Sequence, residues 1–288
     1  MTHAPIDTLL GNNSTLCCHS KLVPQSQATH AGDWQRSAFQ EIEKRLSGES
    51  GFPCVFSKNA FRKQLLKFLF IETVDAQGIQ FFADGLLEFV ELSRGWDGSL
   101  NTSYPLVVVF SLTAIKSQSV QDYHSFGWHI LQKLHDVDPV CWPKTVATCP
   151  EAPSWSMCFG GMQIFCNMSN PAHRVRRSRN LGQHFMMIIN PRERFDIFAG
   201  DTPAGRKARA NIRSRINQYD DLPHSPQLGS YGDSGGEWRQ YSLVEDNEER
   251  SDKCPFTFCR PKPNSLRNSS DLRQNSDGID DRRNVANV

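Results

Sequence analysis

The sequence predicts an α+β fold, with mixed helices around a largely antiparallel sheet in a single main domain. Three observations carry this prediction. Segments with apolar residues at helical spacing are interleaved with short runs of β-branched and aromatic residues. Two strand-like runs flank Gly160-Gly161, and a two-residue glycine turn is what a tight hairpin needs. No internal repeat is visible, and GxGxxG after a strand, GxxxxGK[ST], GxSxG and HExxH are all missing.

Residues 1–32 mix Asn, Ser, Gln, Thr and His with little periodicity and read as a mobile tail. The main domain is expected over 33–245. A polar, disordered tail is expected over 246–288, most plainly from Pro261 onward, where large apolar residues are few. Asp33 is positioned to cap a helix carrying Trp34, Phe39, Ile42 and Leu46. Ser57 is the expected cap of a short helix through Phe61 and Leu65, and "KFLFIE" follows as a strand. "IQFFADGLLEFVELSRG" places Ile79, Phe82, Leu86, Phe89 and Val90 on one helical stripe that stops at Gly95. "YPLVVVFSL" reads as a buried strand. "SVQDYHSFGWHILQKLH" is helical again, with Val120, Tyr123, Gly127, Ile130, Leu131 and Leu134 facing inward. The hairpin "SWSMCF-GG-MQIFCN" comes next, then a strand in "HFMMIIN" that Pro191 ends. Thr202-Pro203 opens a basic helix with Ile212 and Ile216 inside and Arg206, Lys207, Arg209, Arg213 and Arg215 outside.

Composition narrows the function. With 32 basic and 31 acidic residues the formal net charge is +1, which argues against a dedicated nucleic-acid binder. The nine cysteines form no CxxC pair, so they read as reduced small hydrophobes and not as a zinc framework or disulfide scaffold. No window approaches a membrane span, and the N-terminus carries no pattern of a secretory signal. A cytoplasmic location is the expectation.

The densest positive charge lies in "SNPAHRVRRSR", residues 169–179, directly after the hairpin and before an apolar strand. No acidic residue lies between Glu151 and Glu193 to neutralise it. Arginine is suited to planar bidentate contact with carboxylate or phosphate. The loop therefore calls for an anionic ligand, or for acidic partners brought in by tertiary packing. If the loop is extended, His173, Val175 and Arg177 share one face and Arg174 and Arg176 the other. His124 and His129 lie five apart on their helix, about 140° around it, and so do not make a metal pair with each other. His135 reads as structural and His184 as unremarkable. His224 sits in a Pro/Gly-rich loop with Asp220, Asp221 and Asp233. Cys54 is flanked by apolar residues that oppose a thiolate.

"GFPCVFSKNAFRKQLLKFLFIE", "YPLVVVF", "FGWHILQKLH", "PSWSMCFGGMQIFCN", "NPAHRVRRSR" and "IINPRERFD", in this order, resemble the YqcI/YcgG family over roughly residues 50–243. The resemblance implies a haem-dependent N-hydroxylase, or monooxygenase, of a small guanidine such as arginine, with a histidine-ligated haem iron. It implies an external electron donor and O2 or peroxide as partners. Carried onto this chain, it puts His173 in the role of axial ligand and catalytic residue, with His224 and Cys54 as alternatives. Arg174, Arg176, Arg177 and Arg179 become the partners for the haem propionates, and arginines left over are expected to pair with Glu193 or Asp196. Glu193 and Glu72 are the candidates to hold the substrate cation, with Asp233 and Glu237 also within or beside the matching segments. Trp128, Trp155 and Phe159 are available to exclude water, although core packing suits each. Neither a membrane nor a nucleic acid is expected as partner, and a homodimer is left open. The alternatives are a phosphoanion or nucleic-acid binder built on the Arg-rich loop, and a haem-binding protein without oxygenase activity.

Overall fold

Five consecutive apolar residues, Leu106–Phe110, form the strand around which the rest is arranged, and all five are buried. Such a run needs cover on both faces of its sheet. A computed structural model, describing residues 20–48, 50–229 and 236–258, shows how that cover is supplied. The elements in chain order are β1 (Val23–Pro24), α1 (Gln25–Ala28), α2 (Asp33–Leu46), α3 (Val55–Arg62), β2 (Lys67–Ile71), α4 (Ala76–Arg94) and β3 (Leu106–Phe110). They continue with α5 (Val120–Val137), β4 (Met157–Phe159), β5 (Met162–Ser169), β6 (Met186–Pro191), α6 (Arg192–Phe198), α7 (Pro203–Tyr219) and α8 (Trp238–Tyr241). One six-stranded sheet runs β1-β2-β3-β6-β5-β4, parallel only between β2 and β3, so the α+β class with a largely antiparallel sheet holds.

Side-chain alternation sorts the sheet into two faces. Phe68, Val107, Val109 and Met186 meet α2 and α3 through Phe39, Ile42 and Phe61. Leu69, Val108, Phe110, Met187 and Met168 meet α4 and α5 through Phe82, Phe89, Trp128 and Leu131. The stripe predicted for α4 is buried in full, and its helix ends at Gly95. In α5 the inward residues are those expected apart from Val120, which is half-buried, with His124, Trp128 and His135 added. The glycine pair turns the β4–β5 hairpin at φ 58° and 74°, left-handed at both positions as a type I′ turn requires.

Several boundaries differ from expectation. Gly32, not Asp33, precedes the first turn of α2, and Asp33 pairs with Arg36 at 2.5 Å. Helix α3 starts at Val55, and the Ser57 hydroxyl donates to the Cys54 carbonyl at 2.9 Å instead of capping. On α7, Ile212 and Ile216 are only half-buried. Arg215 on that helix is drawn inward by the Pro53 carbonyl at 3.1 Å, a pull that apolar periodicity does not register.

The folded unit also exceeds 33–245 at both ends. Residues 20–32, expected in the mobile tail, supply β1 and α1 and bury Leu22, Gln25 and Ala28. Gln25 Nε2 donates to the Phe61 carbonyl at 3.0 Å. Beyond residue 245, Gln132 on α5 exchanges two hydrogen bonds with the backbone of Thr257, at 3.1 and 2.9 Å. Phe256 is 3% exposed and meets the rings of His135, Trp142 and Trp155. Each end is anchored by a few side chains without helical or strand periodicity, too few to raise the local apolar density. The remaining expected tail residues, 1–19 and 259–288, lie outside the described residues. Phe256→Ala is expected to lower the unfolding free energy by about 3–5 kcal/mol. Urea denaturation checks this, and a change below about 1 kcal/mol would mark the segment as a loose tail.

Candidate functional site

Strand β5 ends at Ser169, paired with Met186 of β6, and the Arg-rich loop spans the gap between these neighbours. Both ends of the loop are closed on themselves. Asn170 N–H donates to the Arg179 carbonyl at 3.0 Å, and Leu181 N–H to Ser169 Oγ at 3.0 Å. Within it, His173 N–H reaches the Asn170 carbonyl, and Arg177–Arg179 form a 3-10 turn. The inward period is therefore three, not two. His173, Arg176 and Arg179 are buried, while Arg174 and Arg177 are exposed, which corrects the faces expected of an extended loop.

Tertiary packing brings in the acids and acceptors the local sequence lacks. Arg176, 1% exposed, donates to the carbonyls of Val244, Pro223 and Asp246 and to Asn247 Oδ1, the last two at 2.5 Å. Arg177 pairs with Asp221 at 3.0 Å and lies over the Tyr219 ring, 5.4 Å from its centre. Arg179 donates to Asn167 Oδ1, and burial, aided by the Arg176 charge, lowers its pKa to about 10. Asp220 accepts from the Ser178 N–H and hydroxyl, both at 2.7 Å. None of these loop arginines pairs with Glu193 or Asp196, and Asp196 is held instead by Arg192 at 2.9 Å.

Glu245 lies at the centre of the arrangement. Its Oε2 accepts the N–H groups of Arg174 and Val175 at 3.0 and 2.8 Å, and its Oε1 that of Arg176 at 3.3 Å. Oε1 also meets Nδ1 of His173 at 2.5 Å. Burial pushes the Glu245 carboxyl upward, but the His173 contact and the backbone donors outweigh it and hold the pKa at about 2. An ionised carboxylate only accepts, so His173 Nδ1 carries the hydrogen and Nε2 keeps its lone pair. Burial lowers the His173 pKa, with Glu245 opposing, which favours that neutral form. His173 Nε2 is buried and has no hydrogen-bond partner.

A second imidazole lies beside it. His124 on α5 is 3% exposed, and its ring centre is 5.7 Å from that of His173, with the planes at 49°. Its Nε2 is likewise buried and unpartnered. Burial, then the neighbouring His173, pushes its pKa down to about 3. Sequence reasoning tested His124 only against His129, which is exposed. The available signal was that His124 falls on the apolar stripe of Gly127, Leu131 and Leu134, where an imidazole is out of place.

The other candidates are dispersed. Cys54 precedes α3, and His224 pairs through Nδ1 with Asn217 at 2.9 Å. Glu72 is exposed and accepts from Trp34 Nε1 at 2.6 Å, on the α2 side of the sheet. Glu193 is exposed in the first turn of α6. Glu237 is buried in a closed network with Arg192 at 2.5 Å, Tyr241 at 2.7 Å and Ser156 at 2.8 Å. Trp128, Trp155 and Phe159 all belong to the core under α4 and α5. Asp233 lies outside the described residues. Among the described residues no group of three or more His, Cys, Asp and Glu side chains is arranged to hold a metal ion, and no helix is long and apolar enough to cross a membrane.

Because Arg176 ties the loop to the 244–247 segment, Arg176→Met is expected to cost about 3 kcal/mol or more by stranding buried carbonyls. Arg174→Ala should leave stability nearly unchanged, and parallel urea titrations of the two variants check the contrast.

The chain is 58% identical over 241 residues to a Streptomyces lavendulae protein named "Putative N(omega)-hydroxy-L-arginine synthase DcsA", covering 83% of this chain and 91% of the relative. It is 33% identical over 240 residues to YcgG of Bacillus subtilis (strain 168), covering 82% and 92%. It is 30% identical over 228 residues to YqcI of the same organism, covering 77% and 87%. No solved structure matches it. The family model for YqcI/YcgG matches residues 42–257, which spans strands β2 to β6, both histidines and the segment carrying Glu245. The chain belongs to the YqcI/YcgG family.

Proposed function

We propose that the protein hydroxylates a guanidine nitrogen of arginine or a close analogue, using a haem whose iron is held by Nε2 of His173. The observation that carries this reading is the state of that imidazole: buried, oriented through Nδ1 by Glu245, and unpartnered at Nε2. The 58% identity to DcsA, whose name specifies synthesis of N(omega)-hydroxy-L-arginine, supports arginine as the substrate.

One imidazole nitrogen is the donor that such a group would take from the protein. Haem brings its own equatorial nitrogens, so the protein need supply only an axial one, and one histidine suffices where no larger ligand cluster occurs among the described residues. A carboxylate on Nδ1 fixes the tautomer and raises the basicity of Nε2. Arg174 is exposed, and Arg179 donates to the neutral Asn167; these two are assigned to the propionates. Arg176 and Arg177 serve instead to join the loop to its neighbours. A binder of nucleic acid would want these arginines outward, and Arg176 is directed into the protein.

When bound, haem supplies the iron at which O2 or peroxide is activated, with electrons from an external donor. The work of the chain is to hold and orient. His173 fixes the iron, and Glu245 keeps the Nδ1 proton in place. A guanidinium, with a pKa above about 12, is a poor nucleophile at neutral pH, so the substrate must be held still and give up a proton. Glu72 and Glu193, the candidates the sequence offered to hold it, lie apart on the α2 side of the sheet and in the first turn of α6.

Protein purified after expression with ample haem should show a Soret band and convert arginine to its N-hydroxylated product. His173→Ala should lose the band, while His224→Ala and Cys54→Ala keep it. Glu245→Gln should weaken haem binding about 10–100-fold in a titration. Colourless wild-type protein overturns the haem assignment. Haem-loaded protein that turns over neither arginine nor its analogues overturns the oxygenase assignment.

A further inference from the structure

We propose that the groove between the end of α2, helix α3 and helix α7 binds a small organic phosphate, a phosphate monoester with an apolar body. The inference is independent of the haem reading and of the loop that carries His173. It starts from a concave space of about 540 Å³ lined by Lys58 and Arg62 of α3 and Arg215 of α7. That volume lies within the range of small-molecule sites.

The three cations line one groove without a counter-charge. No carboxylate lines it among the described residues, and none of the three pairs with one there. Lys58 Nζ donates to the Gly48 carbonyl at 3.0 Å, and Arg62 Nη2 to Asn59 Oδ1 at 3.0 Å. Arg215 donates through Nε to the Pro53 carbonyl at 3.1 Å and through Nη2 to that of Phe52 at 3.2 Å. These neutral oxygens hold the cations in place but leave their charge unbalanced. Still available are donors: the remaining hydrogens of Lys58 Nζ, Nη1 of both arginines, and Nδ2 of Asn59. Spare donors with positive charge select an anion rich in acceptors.

Local sequence builds this face. Val55, Lys58, Asn59 and Arg62 recur at steps of three and four, so they share one side of α3. Helix α3 starts at Val55 without a side-chain cap, so its positive end also opens at the groove.

Phosphate fits better than carboxylate. Arg215 has spent its Nε–Nη2 edge on carbonyls, which removes the flat fork that a carboxylate takes side-on. Three cations on two helices instead offer separate contacts, suited to the three terminal oxygens and about two charges of a phosphate monoester. Leu46, Val55 and Phe61 supply an apolar lining, and Leu46 and Phe61 are buried. A bare inorganic ion leaves that surface unused, whereas an apolar or aromatic ester covers it.

The full chain is titrated calorimetrically with phenyl phosphate, inorganic phosphate and benzoate in a phosphate-free buffer of low ionic strength. Phenyl phosphate should bind most tightly, with the other two at least about 10-fold weaker. Lys58→Ala, Arg62→Ala and Arg215→Lys should each weaken phenyl phosphate about 10-fold. Lys63→Ala, which removes a charge just outside the groove, and Arg174→Ala, on the Arg-rich loop, should match wild type. If Arg215→Lys does not fold, the two α3 variants carry the test. No binding of phenyl phosphate, equal binding of benzoate or inorganic phosphate, or binding that the groove variants leave intact overturns the inference. None of these outcomes bears on the haem assignment, which the Soret band reads separately.

Discussion

One carboxylate organises the functional end of this protein. Glu245 gathers three consecutive backbone N–H groups and the Nδ1 of His173, so a single side chain sets the path of the Arg-rich loop and the tautomer of its histidine. The same residue belongs to a segment beyond the main body of helices, whose carbonyls at Val244 and Asp246 receive Arg176. The contact runs both ways: the segment positions the loop, and the loop holds the segment. The loop's donors hold the Glu245 carboxyl below the usual carboxylate range, and an ionised acceptor at this position places a hydrogen on Nδ1 of His173.

The sheet makes that contact productive. Strand β5 delivers the loop at the edge of the core that α5 covers, and α5 presents His124 from the opposite direction. At Gly127, one turn beyond His124, an added Cβ would come within 2.9 Å of Phe185 and closer to Met168. A larger residue there would force the buried Met168 and Phe185 side chains to shift. Loop and helix together supply a pair of buried imidazoles, each with an unpartnered Nε2, whereas the buried Glu237 and Arg176 are hydrogen-bonded.

Much of the scaffold was legible in the chain because its signals are local. The apolar run of β3, the stripe of α4 and the glycine pair of the hairpin each depend on residues within one element, and each appears where its pattern indicates. Segments anchored by isolated side chains were not legible. Leu22 and Phe256 lie in short segments with no helical or strand period, and only the surfaces they meet show that they are buried. The candidate site divides in the same way. His173 stood out through its arginine neighbours, whereas the jobs of Arg176 and Arg177 depended on acceptors from 42 to 71 residues away.

By itself the sequence determined the fold class, the order of the main elements and the position of a charged loop pinned between two core strands. Short-range periodicity and turn chemistry suffice for these. Tertiary structure alone decided that Glu245 neutralises that loop, that Arg176 is structural, and that His124 faces His173. Those outcomes join residues 49 to 72 positions apart, and no local pattern encodes which distant groups a closed chain will bring into one low-dielectric space.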